Sequence, residues 1–107
     1  MSETTMLRHV VMFGFKDGTT AAEIDEIVRR FAGLKDEVPD IEAFEYGENN
    51  SPEGLNDGLS HCFLLTFPST QARDAYLPHP KHKAFADWVG QWVAKVVVVD
   101  YWVGDGS

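Results

Sequence analysis

The chain is predicted to be an α+β domain of ferredoxin-like plan, β-α-β-β-α-β, with a four-stranded antiparallel sheet and its helices on one face. Three observations predict it. Runs rich in Val, Phe and Tyr alternate with runs whose apolar residues recur every three to four positions. Turn residues separate these runs, and no repeat or linker interrupts them. At 107 residues, 44% of them hydrophobic, the chain can bury about two thirds of its unfolded surface around one core, so residues 1–107 are expected to form a single domain with its core between about 6 and 103.

Each element has a local reason. Leu7 to Lys16 reads as the first strand, and Asp17-Gly18-Thr19 breaks it. Thr20-Ala21-Ala22-Glu23 has capping-box spacing, in which the Thr hydroxyl and the Glu carboxylate each meet a backbone N–H that the first helical turn leaves unpaired. Ile24, Ile27, Val28, Phe31, Leu34 and Val38 then form one apolar stripe, which Pro39-Asp40 ends. Ile41 to Glu48 alternates as a second strand. Asn49 to Gly58 is polar and aperiodic, and is expected to be the most mobile segment. Leu59 to Phe67 is the third strand. Ser69 is placed to cap a short helix carrying Ala72, Ala75 and Tyr76, and Pro80 suits the first turn of another. Phe85, Trp88, Val89, Trp92 and Val93 make the stripe of that last helix, and Val96 to Val103 is the fourth strand.

Composition removes several classes of function. Seventeen acidic residues against nine basic ones give a net charge of −8, much of the acid lying between Asp36 and Asp57, so a nucleic-acid backbone would be repelled. No apolar run approaches the roughly 20 residues of a membrane span, and Met1-Ser2-Glu3-Thr4-Thr5 lacks the basic start and apolar core of a secretory signal. A cytoplasmic location without a membrane partner is expected. Cys62 is the sole cysteine, which rules out an intrachain disulfide and makes it readable as a small buried apolar residue.

Two strands are apolar on both faces. Leu7, Val11, Phe13 and Phe15 share one side of the first, Val10, Met12 and Gly14 the other, and Val96-Val97-Val98-Val99 presents methyl groups to both. Helices from this chain can cover only one side. The uncovered side would be an apolar patch that calls for a second copy, so a homodimer is predicted.

The chemistry concentrates in Tyr76-Leu77-Pro78-His79-Pro80-Lys81-His82, which sets a phenol and two imidazoles at the junction of two helices. His9 shares its strand face with Leu7, Val11 and Phe13, and His61 shares its own with Phe63, Leu65 and Phe67. Tyr76 lies on the apolar side of its helix, and His82 precedes Phe85 by three residues. If the odd-numbered strand positions face the helices, His9, His61, Tyr76 and His82 converge on a pocket walled by Phe31, Phe63, Phe85 and Trp88, with His79 at its rim. The competing reading is a set of hydrogen-bonded core residues. Cys62 has the opposite phase from His61, which disfavours a Cys-His nucleophilic pair. His79 and His82 lack a carboxylate of matching phase, so no metal is expected, and no phosphate-binding or flavin fingerprint is present.

Arg8-His9-Val10-Val11-Met12-Phe13-Gly14-Phe15-Lys16, His61-Cys62-Phe63, His79-Pro80-Lys81-His82 and Val99-Asp100-Tyr101 together resemble the stress-responsive dimeric α/β-barrel (Dabb) family, across about Met6 to Val103. The resemblance implies two copies joined as a dimeric α/β barrel. A plant polyketide cyclase of that family is similar at the candidate positions. By that resemblance His82 would be the base, Tyr76 the group that polarises a carbonyl, and His9 and His61 polar pocket walls, with Phe31 standing where the cyclase has a tyrosine. The implied activity is cofactor-free aldol cyclisation, enolisation or isomerisation of a small apolar carbonyl compound. The alternatives are a noncatalytic dimer that binds a small ligand, and a dimeric-barrel monooxygenase.

Overall fold

The computed structural model describes residues 6–104, so the reading of Met1–Thr5 lies outside the described residues. The elements are β1 (Leu7–Phe15), α1 (Ala21–Glu37), β2 (Ala43–Glu48), β3 (His61–Phe67), α2 (Thr70–Tyr76), α3 (Pro80–Val89) and β4 (Val93–Trp102). The strands form one antiparallel sheet in the order β2-β3-β1-β4. This is the ferredoxin-like arrangement, with β1 central and β4 on an edge.

β1 sets the two faces. Leu7, His9, Val11 and Phe13 are buried beneath the helices, whereas Arg8, Val10 and Met12 are half-buried on the opposite side. Register carries this phase across the sheet: His9 pairs with Leu65 and Asp100, Val11 with Phe63 and Val98, and Phe13 with His61 and Val96. The uncovered face is made of Val10, Met12, Leu64, Val97, Val99 and Tyr101, bordered by Arg8, Thr66 and Cys62. Val99 and Tyr101 are 49% and 47% exposed there. Cys62 is exposed rather than buried, a correction that follows from its phase, since the residue after His61 must point away from the helices. Desolvation, then the charge of Glu45, raises its thiol pKa.

α1 begins with a complete capping box: the Glu23 amide donates to Thr20 Oγ1 at 3.1 Å and the Thr20 amide donates to Glu23 Oε1 at 2.9 Å. Such a cap contributes about 1 kcal/mol. Ile27, Phe31 and Leu34 are the helix's buried residues. The Phe31 ring lies 4.7 Å from both Phe63 and Phe85 and 5.3 Å from Phe44, joining α1 to β3, α3 and β2. Each well-oriented aromatic pair adds about 0.5–1.5 kcal/mol beyond its buried area.

Ser69 caps α2 by accepting from the Ala72 amide, and Pro80 occupies the first turn of α3 behind the cap residue His79. α3 stops at Val89. Trp92 and Val93, expected on its apolar stripe, instead form a turn and the start of β4, the Trp92 amide donating to the Val89 carbonyl at 3.0 Å. Gly90 is a poor helix former, and β-branched Val93 gains a strand partner in Phe15 across a register shift at Gly14/Phe15. Likewise β2 starts at Ala43 rather than Ile41, after a turn at Asp40 with φ of 72°, and β3 starts at His61 rather than Leu59.

The segment from Asn49 to Ser60 is tied to the sheet. The Ser60 amide donates to the Phe13 carbonyl at 2.8 Å, Lys95 Nζ binds the Asp57 carboxylate, and Gly58 backs directly onto Gly14. A Cβ at residue 14 would collide with the Gly58 carbonyl oxygen, a backbone atom that cannot rotate away. Gly14→Ala is therefore expected to destabilise the fold by about 1–3 kcal/mol in urea titration. An unchanged unfolding midpoint would contradict this close approach.

Candidate functional site

A cavity of about 440 Å³ opens between β1, β4, the α2–α3 junction and α3. Strand register gives it two ends. His9 and Asp100 form one row of its wall, Val11 and Val98 the next, Phe13 and Val96 a third, each step about 7 Å along the strands. Tyr76 and His82 join the polar row from the helices, while Phe31, Phe85 and Val89 line the apolar part. Val96 and Val98 point to the helix side but remain 52% exposed, because β4 is an edge strand that the helices do not fully roof.

The junction between α2 and α3 positions the first two groups. Tyr76 ends α2 and is completely buried. Its ring lies 4.4 Å from that of His82, 5.3 Å from Phe67 and 5.9 Å from His9. Its hydroxyl is the one buried side-chain oxygen without a hydrogen-bond partner among the described residues. Burial pushes the phenol's pKa far above its ordinary value, so at neutral pH it is a donor. His82 sits in the first turns of α3 with Nδ1 2.8 Å from the Leu77 carbonyl oxygen. A carbonyl only accepts, so Nδ1 carries the proton, and Nε2 of the neutral ring is left with a lone pair.

Opposite them, His9 is 4% exposed and its Nδ1 lies 2.8 Å from Asp100 Oδ1. The carboxylate fixes the ring in the same sense, Nδ1–H donating and Nε2 free. Asp100 Oδ2 in turn accepts from Arg73 at 3.0 Å. Two imidazoles of defined orientation therefore flank one unpartnered phenol in a largely apolar cavity. Such a set can take a proton from a ligand, return it, and donate a hydrogen bond to a ligand oxygen. Among the described residues no three His, Cys, Asp or Glu side chains gather as a metal site.

The stress-responsive A/B barrel domain pattern matches residues 7–103, nearly the whole of the described fold. The chain belongs to the stress-responsive A/B barrel family. This A/B barrel chain is 36% identical over 95 residues to the stress-response A/B barrel domain-containing protein HS1 of Arabidopsis thaliana, covering 89% of this chain and 87% of that one. It is 25% identical over 95 residues to olivetolic acid cyclase of Cannabis sativa, covering 89% and 94% of the two chains. A solved Arabidopsis thaliana protein superposes with a TM-score of 0.91 at 35% identity, covering 94% and 98%. A Jannaschia protein described as dimeric and ferredoxin-like superposes at 0.79 with 29% identity, covering 92% and 99%.

Among the candidates drawn from the A/B barrel sequence, His9, Phe31, Tyr76, His82 and Phe85 line the cavity. Phe63 lies beneath it, fully buried against Phe31 and Phe13. His61 is not in this cavity: it pairs with Phe13, four residues along β1 from His9, bonds Ser60 Oγ and packs on Phe15 at 5.3 Å. Equal strand phase gave the two histidines a common face but not a common end. Trp88 turns the other way, under the Arg30 guanidinium at 4.4 Å and against Trp92 at 4.8 Å. His79 serves as the cap of α3, accepting from the Lys81 amide at 3.1 Å. Asp100 and Arg73 are the polar groups to which sequence reading gave no role in the site, Asp100 having entered only as part of the Val99-Asp100-Tyr101 segment. The available signal was a lone carboxylate within the valine-rich β4.

The unpartnered Tyr76 hydroxyl has an energetic consequence. A buried donor without a partner costs about 1–3 kcal/mol, so Tyr76→Phe is expected to leave stability equal or raise it by about 1 kcal/mol in thermal unfolding. A loss of 2 kcal/mol or more would show that the hydroxyl is held by the protein.

Proposed function

We propose that this protein is a cofactor-independent enzyme that enolises a small apolar carbonyl compound and closes longer polyketones by an aldol step. The observation that carries this reading is the buried, unpartnered Tyr76 hydroxyl beside a His82 whose Nδ1 is committed to the Leu77 carbonyl. His82 Nε2 removes a proton from a carbon between two carbonyls, and the Tyr76 O–H donates to the oxygen that becomes the enolate. The enolate carbon then attacks a second carbonyl of the same chain, forming a C–C bond, and the imidazolium returns its proton to the new alkoxide. The apolar rows beyond His9 hold the ligand's hydrocarbon part and exclude water. Family membership and similarity to a relative named olivetolic acid cyclase support the assignment. Phe31 leaves the α1 wall apolar, which favours a ligand without a polar group there.

The partner we propose is a second copy, docked on the uncovered sheet face. That face is apolar along Val10, Met12, Leu64, Val97 and Val99, and a similar solved structure is described as dimeric. Val97→Glu would place an unpaired charge in this contact, and sedimentation is expected to show a monomer where the wild type is a dimer.

The enzymatic reading is tested with nonane-2,4-dione in D2O, following early deuterium incorporation at C3 by NMR. The wild type should accelerate exchange. His82→Ala should lower the catalysed rate about 10²–10⁴-fold, and Tyr76→Phe about 10²–10³-fold. Equal rates for all three proteins would end the assignment.

A further inference from the structure

We infer that Arg73 is a positioning residue: it holds the outer oxygen of Asp100 so that the inner oxygen meets Nδ1–H of His9 and the ring keeps Nε2 for the cavity. The geometry is a chain of three contacts, His9 Nδ1 to Asp100 Oδ1 at 2.8 Å, Asp100 Oδ2 to Arg73 Nη1 at 3.0 Å, and Arg73 Nε to Asp74 Oδ1 at 2.9 Å. The catalytic meaning of this chain rests on the enolisation reading above; its structural meaning does not.

Asp100 needs such a clamp because of where it stands. It lies on edge strand β4, and its side chain is 21% exposed, so water reaches the carboxylate and competes with His9 for it. A lone carboxylate can rotate, and each rotation removes the acceptor that fixes the His9 tautomer. Bonding both oxygens, one to a guanidinium and one to an imidazole, leaves a single orientation. Arg73 is itself constrained. It stands three residues before Tyr76 on α2, and residues at that spacing share a helix face, so one short helix delivers both the cavity's hydroxyl and the clamp behind its second histidine. Hydrogen bonds to Asp100, then Asp74, raise the guanidinium pKa and keep it charged.

The arrangement makes His9 more than a polar wall. Tyr76 packs against two oriented imidazoles, His82 set by a main-chain carbonyl and His9 set by the Arg73–Asp100 pair. The second imidazole offers the cavity a further lone pair, at His9 Nε2, that can accept a hydrogen bond or a proton from the ligand.

The test is side-chain ¹H/¹⁵N NMR of the histidines without any ligand. The wild type should show a downfield, slowly exchanging Nδ1–H for His9 and another for His82. Arg73→Met and Arg73→Gln should lose or broaden the His9 signal while the His82 signal stays, which excludes global unfolding as the cause. Arg73→Lys should restore it in part. A His9 signal unchanged in both neutral variants overturns the inference. Under the nonane-2,4-dione exchange assay, Arg73→Met should lower kcat about tenfold with KM little changed, and Arg73→Lys should recover most of it. Loss of the His9 signal together with a wild type that does not accelerate exchange leaves the positioning role standing and removes the enzymatic reading alone.

Discussion

The two-residue alternation of β1, pinned on both sides by its ladders to β3 and β4, is the constraint on which everything else depends. Seven consecutive residues pair with β3 and nine with β4, so β1 cannot slip without breaking two ladders at once. A slip of one residue would turn His9, Val11 and Phe13 out from under the helices and bring Arg8, Val10 and Met12 in. The same alternation places Asp100 beside His9, Val98 beside Val11 and Val96 beside Phe13. It thereby decides that one end of the cavity is polar and the other apolar. It also leaves an apolar face with no helix among the described residues to cover it.

The helical side contributes through its discontinuity. A continuous helix from Thr70 to Val89 would have no free carbonyl to offer near its middle. Ending α2 at Tyr76 and restarting at Pro80 leaves carbonyls at the end of α2 that no later turn of that helix satisfies. The Leu77 oxygen is one of them, and His82 fills the need. A rule of helix termini therefore becomes the device that orients an acid-base group. The cap His79 and the proline at the first helical position fix where that restart occurs.

Much of this is legible in the sequence wherever the determinants are local. The β1 alternation, the α1 stripe with its capping box and the break at Pro80 each depend on residues a few positions apart. What is not legible depends on distant pairing. His9 and Asp100 are 91 residues apart in the chain, and nothing but the register of β1 with β4 reveals that they meet. His61 has the same phase as His9 yet stands at the other end of the sheet, because phase reports a face and says nothing of position along it. Trp88, Trp92 and Val93 satisfy a helical period, but the helix stops at Val89, and Val93 is claimed by a ladder with Phe15. Tertiary pairing overrode a local pattern there, as propensity commonly yields to context.

The two histidines of the cavity are oriented by partners of different kinds. His9 relies on a carboxylate that one nucleotide change could replace, whereas His82 relies on a main-chain oxygen that every amino acid at position 77 would supply. The His82 contact is therefore indifferent to the side chain at position 77 as long as the number of residues between Tyr76 and His82 is kept. An insertion or deletion of a single residue there would rotate α3 by about 100° relative to that oxygen. Descendants of this sequence should preserve the length of the junction, with position 77 answering to the cavity wall it lines rather than to His82, and should vary position 100 only together with its neighbours.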